Sequence, residues 1–158
     1  MAGEDDLLAR ELGKVGKAGG KLGSKVFGDS FPGSVSGLVG YLGASLAARF
    51  LPTERHQLEI KLRAEPRIVL ANVYAFLCSK GEVKDSDELR ASPYPTISGL
   101  IGSGWFNMNP AIVHAEIVAI DGDVCCVVLT GAAKEGLIKQ RTAAKAVNRL
   151  AEALQSFA

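Results

Sequence analysis

The chain has 158 residues, and its 18 basic and 17 acidic side chains give a formal net charge of +1. A hydrophobic share of 47% and a charged share of 22% are those of a globular protein, which excludes disorder along the whole chain. The near-neutral charge argues against a dedicated nucleic-acid binder. With 2 His and 3 Cys, the chain has too few ligands for a zinc module and too few cysteines for a disulfide-rich secreted scaffold.

The amino-terminal sequence MAGEDDLLAR is acidic where a secretory signal is basic, and no long apolar core follows it. Residues 31–48 carry no charge over 18 positions, which is long enough to consider a membrane span. Glycine and serine dilute this stretch, whereas a membrane helix is richer in Leu and Ile. We therefore expect a cytoplasmic or otherwise intracellular protein, with membrane association and lipid contact at 31–48 left open.

Composition divides the chain into two regions. Eleven of the 18 glycines precede residue 51, so the beginning of the chain differs in kind from the rest. We therefore predict a glycine-rich helical segment for assembly or docking over residues 1–51. A compact α+β domain is predicted over residues 52–158.

A first helix is predicted near the amino terminus, because acidic residues precede a run of lysines, as the helix dipole favours. Five glycines between residues 13 and 23 each cost about 1 kcal/mol relative to alanine. We therefore expect this segment either to remain a flexible linker or to fold against its own domain, another copy or a lipid surface. Its apolar positions follow a heptad spacing at Leu8, Leu12, Val15, Gly19, Leu22 and Val26. The lysines that would contact an anionic surface are Lys14, Lys17, Lys21 and Lys25.

A second helix is predicted between a cap at Asp29 or Ser30 and an end at Phe50-Leu51-Pro52. Small residues recur in it every four positions, which forms a ridge on which another helix can pack closely. The two predicted helices together form a hairpin suited to close packing. The residues assigned to helix packing or assembly are Ser36, Gly37, Gly40, Ala44 and Ala48.

The remainder of the chain predicts an α+β fold, in which an antiparallel sheet packs on helices in the order β-α-β-β-β-α. Residues 56–64 alternate between apolar and polar side chains, which is typical of a half-buried strand. The nearly uncharged helix that follows Pro66 is expected to be buried on most of its circumference. The predicted elements are a strand over 56–64, a helix over 66–80, a surface loop over 82–95, strands over 96–106, 111–120 and 124–130, and a helix over 134–157.

The last predicted hairpin, on either side of Asp121-Gly122-Asp123, is apolar on both faces. A strand with one wet face would alternate apolar and polar residues, so both faces of this hairpin should be covered. In this pattern Ala119 shares a face with Ile117, and Ile120 shares the opposite face with Val118. The second face is expected to meet the glycine-rich hairpin, another subunit or a hydrophobic ligand.

Known catalytic and nucleotide-binding motifs are absent from the sequence, and no metal site or cofactor is expected. Cys125 and Cys126 are adjacent on a strand and therefore point to opposite faces, which favours buried small hydrophobic residues over joint metal ligands. His114 and Glu116 share a strand face, and a structural hydrogen bond is a commoner reason for this than acid–base catalysis. The residues assigned to a hydrophobic pocket are Trp105, His114, Glu116 and Val118.

Two resemblances bear on the second region. Residues 114–154 resemble the final hairpin and alanine-rich helix of a double-stranded-RNA-binding domain, which would imply lysine–phosphate contacts at the start of that helix. Lys134, Lys139 and Lys145 are instead spread out, so nucleic acid is not expected as a partner. The order of sheet and final helix is also similar to the helix-grip arrangement of small lipid-binding proteins, by architecture alone.

These observations favour a non-enzymatic assembly or interaction protein that self-associates, or enters a larger complex, through the glycine-rich helical hairpin. The first alternative is a binding protein for a small hydrophobic, lipid-like molecule with a helix-grip-like pocket. The second is peripheral binding to a membrane surface. No nucleophile, base and orienting group can be assembled from the sequence, so an enzyme is not expected.

Overall fold

The computed structural model of the chain describes residues 2–27, 33–84, 96–103, 109–135 and 140–157; within these ranges, the side chains of residues 2, 18–40 and 103 are left undescribed. The chain divides into two compact units, Met1–Pro52 and Thr53–Ala158.

The first unit contains two helices in contact with each other, α1 (Ala2–Phe27) and α2 (Gly33–Phe50). They run antiparallel, because the Asp6 carboxylate near the start of α1 lies 3.5 Å from the Arg49 guanidinium near the end of α2. The helices approach closely at Gly13, where an added Cβ would lie 2.8 Å from Cε2 of Tyr41. A glycine of the predicted first helix thus has a packing role.

The second unit is a five-stranded antiparallel sheet packed against two helices, which confirms the predicted α+β class. The order of strands across the sheet is β1-β5-β4-β3-β2. The bounds are β1 Thr53–Leu62, α3 Pro66–Lys80, β2 Gly81–Val83, β3 Thr96–Ser103, β4 Asn109–Asp121, β5 Val124–Lys134 and α4 Thr142–Gln155.

One face of the sheet, here called the inner face, forms the core with α3 and α4. The alternation of β1 predicts this face correctly, since Ile60 and Leu62 lie opposite Val127 and Cys125 and are buried. Gly99 permits a close approach here, because an added Cβ would lie 2.7 Å from Cδ2 of Leu77. The largest fully buried side chains of this core include Leu77, Ile101, Leu129 and Leu150.

Local sequence signals set two boundaries as predicted. Helix α3 begins at Pro66 and has Gly81 as its C-terminal cap. The hairpin between β4 and β5 turns at Gly122, whose φ of +60° is the left-handed conformation that glycine adopts without strain. In both places a residue with special backbone freedom or restriction determines where the element ends.

Two predicted boundaries are wrong because long-range strand pairing determines them. Glu82 and Val83 belong to β2, which pairs with β3, rather than starting a surface loop. The two backbones are so close that a Cβ on Gly81 would overlap the carbonyl oxygen of Leu100. The final helix begins at Thr142 instead of about Lys134, because β5 extends to Lys134 in order to pair with Thr53 of β1.

The alternation of β4 breaks at a β-bulge. Ile117 pairs with Val127 and Ala119 pairs with Cys126, so Val118 is an extra residue. The predicted faces of Ala119 and Ile120 are therefore wrong, because a bulge shifts every following side chain by one position. Ile120 lies at the exposed end of the sheet with 59% of its surface accessible.

The opposite face of the sheet, here called the outer face, is covered unevenly. Ile112 and Ala132 are fully or almost fully buried in the chain. Cys126 and Val128 of β5 are half-buried. The prediction that both faces are covered therefore holds for the β4–β5 hairpin at the end far from its turn, and only in part toward the turn.

The predicted burial of α3 on most of its circumference is wrong. Only Val69, Val73 and Leu77 are buried among its residues, and they form one stripe against the sheet. Ile68 is 50% exposed and Tyr74 is 54% exposed. A helix on one side of a two-layer fold has one covered face, so the apolar composition of α3 leaves an apolar face uncovered.

Candidate functional site

The small-residue ridge predicted for assembly is only partly within the described side chains. Ala48 is buried, and it lies on the same helical face as Tyr41 and Ser45, which approach Gly13 of α1. Ala44 is half-buried. The side chains of Ser36, Gly37 and Gly40 lie outside the described residues. The described end of the ridge therefore packs inside the hairpin.

The opposite side of α2 carries an exposed apolar surface, here called the outward face of α2. Leu42, Leu46 and Phe50 recur every four residues and are 49%, 55% and 88% exposed. Beside them lie Gly43, whose added Cβ would meet nothing within 4 Å, and the exposed Ala47. Sequence reasoning missed this surface, because a four-residue repeat of small residues does not show which side of the helix meets α1.

The outward face of α2 has both a ridge and a groove, the shape that helix packing requires. Three large side chains form a ridge, and the adjacent Gly43 and Ala47 leave a shallow groove parallel to it. Helices pack by inserting the ridges of one into the grooves of another. From 41 to 50 the only charged residue is Arg49, at the edge of this face and 3.5 Å from Asp6.

The lysines assigned to an anionic surface are not all within the described side chains. Lys14 is exposed, but its ammonium lies 2.7 Å from the Glu11 carboxylate, which offsets its charge. Lys17 is exposed, whereas the side chains of Lys21 and Lys25 lie outside the description. No helix in the described part of the chain is long and apolar enough to cross a membrane.

The residues assigned to a pocket lie only partly together. His114 and Glu116 share the outer face of β4, Val118 is in the bulge, and Trp105 lies outside the described residues. His114 Nδ1 is 2.7 Å from the hydroxyl of Ser98, directly opposite on β3. Sequence reasoning missed Ser98, because only the register of β3 against β4 makes it a neighbour. The Ser98 hydroxyl and the His114 ring lie at hydrogen-bond distance, and Ser98 is buried, with 7% of its surface exposed.

A small cavity opens beside α4, with a volume of about 10 Å³. That volume holds about one water molecule, whereas pockets for small organic ligands measure roughly 300–1,000 Å³. The cavity therefore gives no support to a hydrophobic-ligand site at this position. Its lining residues are Leu62, Ala64, Val69, Asn72, Leu154 and Phe157.

The two adjacent cysteines point to opposite faces, as predicted. On the inner face, the Cys125 thiol donates a hydrogen bond to the Ala64 carbonyl oxygen at 3.0 Å, and burial raises the pKa of this thiol. On the outer face, the Cys126 thiol donates to Glu59 Oε1 at 3.1 Å, and this bond is the main cause of its raised pKa. Among the described residues, no three His, Cys, Asp or Glu side chains gather into a metal site.

Two carboxylates bind backbone N–H groups at the start of α4 and just before it. Glu135, at the end of β5, accepts hydrogen bonds from the backbone N–H groups of Gln140 at 2.5 Å and Thr142 at 3.0 Å. Glu54 of β1 accepts a bond from the N–H of Ala143 at 3.0 Å. Burial acts to raise the pKa of Glu135, but these hydrogen bonds outweigh it and the pKa is lowered. The pair satisfies N–H groups that a helix start leaves without partners.

No protein-family model and no curated protein matches the chain. The chain is similar to the crystal structure of an uncharacterized protein from Bacillus thuringiensis, with a TM-score of 0.37 and 12% sequence identity. The similarity covers 66% of this chain and 98% of the other.

Proposed function

We propose that this protein is a non-enzymatic assembly protein that associates with a second copy of itself through the outward face of α2. The observation that carries the proposal is the exposure of Leu42, Leu46 and Phe50 on one side of a helix. Fully burying a wholly exposed side chain of this kind contributes about 1.5–3 kcal/mol. Leu42 and Leu46 are about half exposed, so each would contribute only part of that amount, and Phe50 would contribute most of it.

The chemistry of this face favours a second copy as its partner. The face contains both a ridge of large residues and a groove at Gly43 and Ala47, so two copies are complementary without any other component. It lacks charge except at Arg49, and an uncharged face selects an equally uncharged partner. A symmetric contact between identical patches is also the commonest form of assembly among soluble oligomers.

Light scattering on the full chain and on the variant Leu46→Glu tests the proposal. The variant places a charge at the centre of the outward face, and we expect it to halve the mass of the assembly. Lys17→Glu is the matched control, because it adds the same side chain at an exposed position on α1 and should leave the mass unchanged.

A second variant separates assembly from folding. Gly43→Leu fills the groove, yet the space around Gly43 is open in the single chain, so the helix should remain folded and gain helix propensity. We expect the helical circular dichroism to be retained while the mass falls. Full mass in both variants would overturn the proposal.

The competing outcome is contact with a membrane. If the full chain has the mass of one chain but sediments with vesicles of phosphatidylcholine and phosphatidylserine, and Leu46→Glu abolishes this sedimentation, the outward face binds lipid. That result would also overturn self-association.

A further inference from the structure

The edge of the sheet at β1 lacks the features that usually protect such an edge from pairing. β1 is the outermost strand, and among the described strands only β5 lies beside it. It pairs with β5 along its 10 residues without a bulge, and it contains no proline. Natural edge strands are often short, bulged or interrupted by proline, because an open edge presents N–H and C=O groups to other strands.

The backbone of β1 at residues 58–62 can accept a further strand. In a strand that pairs on one side, every second residue directs its N–H and C=O groups away from its neighbour. Within the described part of the chain, β5 provides the only backbone hydrogen bonds to 58–62. The groups that point away from β5 can therefore extend the sheet by one strand.

The side chains of 58–62 are self-complementary around Ile60. Two antiparallel copies related by a two-fold axis at Ile60 place Leu58 opposite Leu62 on the inner face. On the outer face, Glu59 of each copy lies opposite Lys61 of the other, and both side chains are exposed. One register therefore matches the apolar face and the charged face together.

The charges of Glu59 and Lys61 are available for this pairing. Glu59 accepts the hydrogen bond from the Cys126 thiol, which is uncharged and leaves the negative charge of the carboxylate unbalanced. The ion pairs in the described part of the chain join other residues and include neither Glu59 nor Lys61.

Neighbouring registers of the same two strands are disfavoured. A two-fold axis at Glu59 or at Lys61 sets like charges directly opposite each other. An axis at Leu58 sets Arg55 opposite Lys61, and an axis at Gln57 mixes apolar with polar residues on the inner face. The pattern of side chains thus selects the axis at Ile60.

We infer that β1 pairs with β1 of a second copy, antiparallel about a two-fold axis at Ile60, so that two sheets join into one. A second copy is the partner because residues 58–62 provide both sides of the match. This contact lies in the α+β unit and goes beyond the one proposed for α2.

Exchange of charge between Glu59 and Lys61 tests the register by light scattering. In the Leu46→Glu background, which removes the α2 contact, we expect a dimer. Lys61→Glu and Glu59→Lys each set like charges opposite each other, so each should have the mass of one chain. Mixed together, they should form a dimer, because every Glu at these positions then meets a Lys.

Two further variants separate the contact from folding. Glu59→Lys combined with Lys61→Glu keeps the composition and should restore the dimer by itself. Lys145→Glu is the matched control, because it makes the same charge change at an exposed position on α4 and should leave the dimer intact. Dimers of either single variant, the mass of one chain for the mixture or the double variant, or loss of the dimer in the control would each overturn the inference.

The α2 and β1 contacts can fail independently. If the unmodified chain is a dimer and Leu46→Glu has the mass of one chain, the β1 inference is overturned and the α2 proposal stands. If Leu46→Glu keeps the mass of the unmodified chain and Lys61→Glu halves it, the α2 proposal is overturned and the β1 inference stands. If the unmodified chain has the mass of one chain, both are overturned.

Hydrogen exchange of the β1 backbone gives a second measurement, which reports strand pairing directly. In the Leu46→Glu background, the N–H groups of 58–62 that point away from β5 should exchange at least several-fold more slowly as protein concentration rises. With Lys61→Glu added, they should exchange at one rate at all concentrations. The same concentration dependence in the two proteins, or none in either, would contradict the inference.

Discussion

The two units differ in how many of their large apolar side chains are buried. In the described part of the hairpin of α1 and α2, Leu8 is the only large hydrophobic residue that is buried, whereas Leu42, Leu46 and Phe50 are exposed. In the α+β unit, Leu, Ile and Val side chains of the sheet, α3 and α4 fill one continuous core. The α+β unit thus has a hydrophobic core that stabilises it, and the helical hairpin has an exposed apolar surface that a partner can cover.

The largest expected effect separates the units by their cores. Leu129→Ala removes a fully buried side chain from the α+β unit and should lower the free energy of unfolding by about 2–5 kcal/mol. The hairpin counterpart, Leu46→Ala, truncates a side chain that is 55% exposed and should change it by less than about 0.5 kcal/mol.

Urea unfolding followed by circular dichroism measures both variants, at a dilution where the chains are monomeric. A loss for Leu46→Ala as large as that for Leu129→Ala would show that the hairpin has a core of its own. The two units would then not differ in how far buried side chains stabilise them.

The next effect compares charged contacts in the two units. Glu135→Gln weakens the hydrogen bonds from the N–H groups of Gln140, just before α4, and Thr142, its first residue, and should cost about 1–3 kcal/mol near neutral pH. Asp6→Asn breaks an ion pair whose two side chains are more than half exposed, which should cost about 0–1 kcal/mol.

Acid should remove the difference between the unmodified chain and Glu135→Gln. The pKa of Glu135 is lowered in the folded chain, so its carboxylate contributes stability above the pKa of the unfolded state. This contribution is lost as the pH falls through the folded-state pKa. Unfolding measured from pH 7 downward should therefore show the two proteins converging, and a constant difference would contradict the assignment.

The smallest effect lies within the hairpin and compares two of its glycines. Gly43→Ala should stabilise α2 by about 1 kcal/mol, because its surroundings are open and alanine favours the helix. At Gly13 the same change meets Tyr41, and the overpacking cost of about 1–3 kcal/mol offsets the gain. Thermal unfolding followed at the helical dichroism band should rank Gly43→Ala above Gly13→Ala, and the opposite order would place the helix contact elsewhere.

The sequence predicts those parts of the fold that nearby residues determine. Pro66 and Gly81 bound α3, Gly122 marks the last hairpin, and the alternation in β1 identifies its buried face. It could not show that β5 continues to Lys134, because that extension depends on pairing with Thr53, which lies far earlier in the chain.

The candidate surfaces were harder to predict for the same reason. Composition alone makes α3 look buried all round, but a single sheet layer covers only one side of it and leaves Ile68 and Tyr74 exposed. In α2, the sequence contains a repeat of small residues, yet only the close approach of Gly13 to Tyr41 shows which side of the helix faces α1. Whether a helix face is buried or exposed therefore depends on residues that are distant in the sequence.

The bond from the Ala143 N–H to Glu54 has a consequence for the order of folding. It joins residues 89 positions apart, so the first turn of α4 obtains this partner only after β1 has reached β5. Contacts of such long sequence separation require closure of a large loop and form slowly. The start of α4 should therefore become protected from hydrogen exchange late during refolding, after the hairpin of β4 and β5.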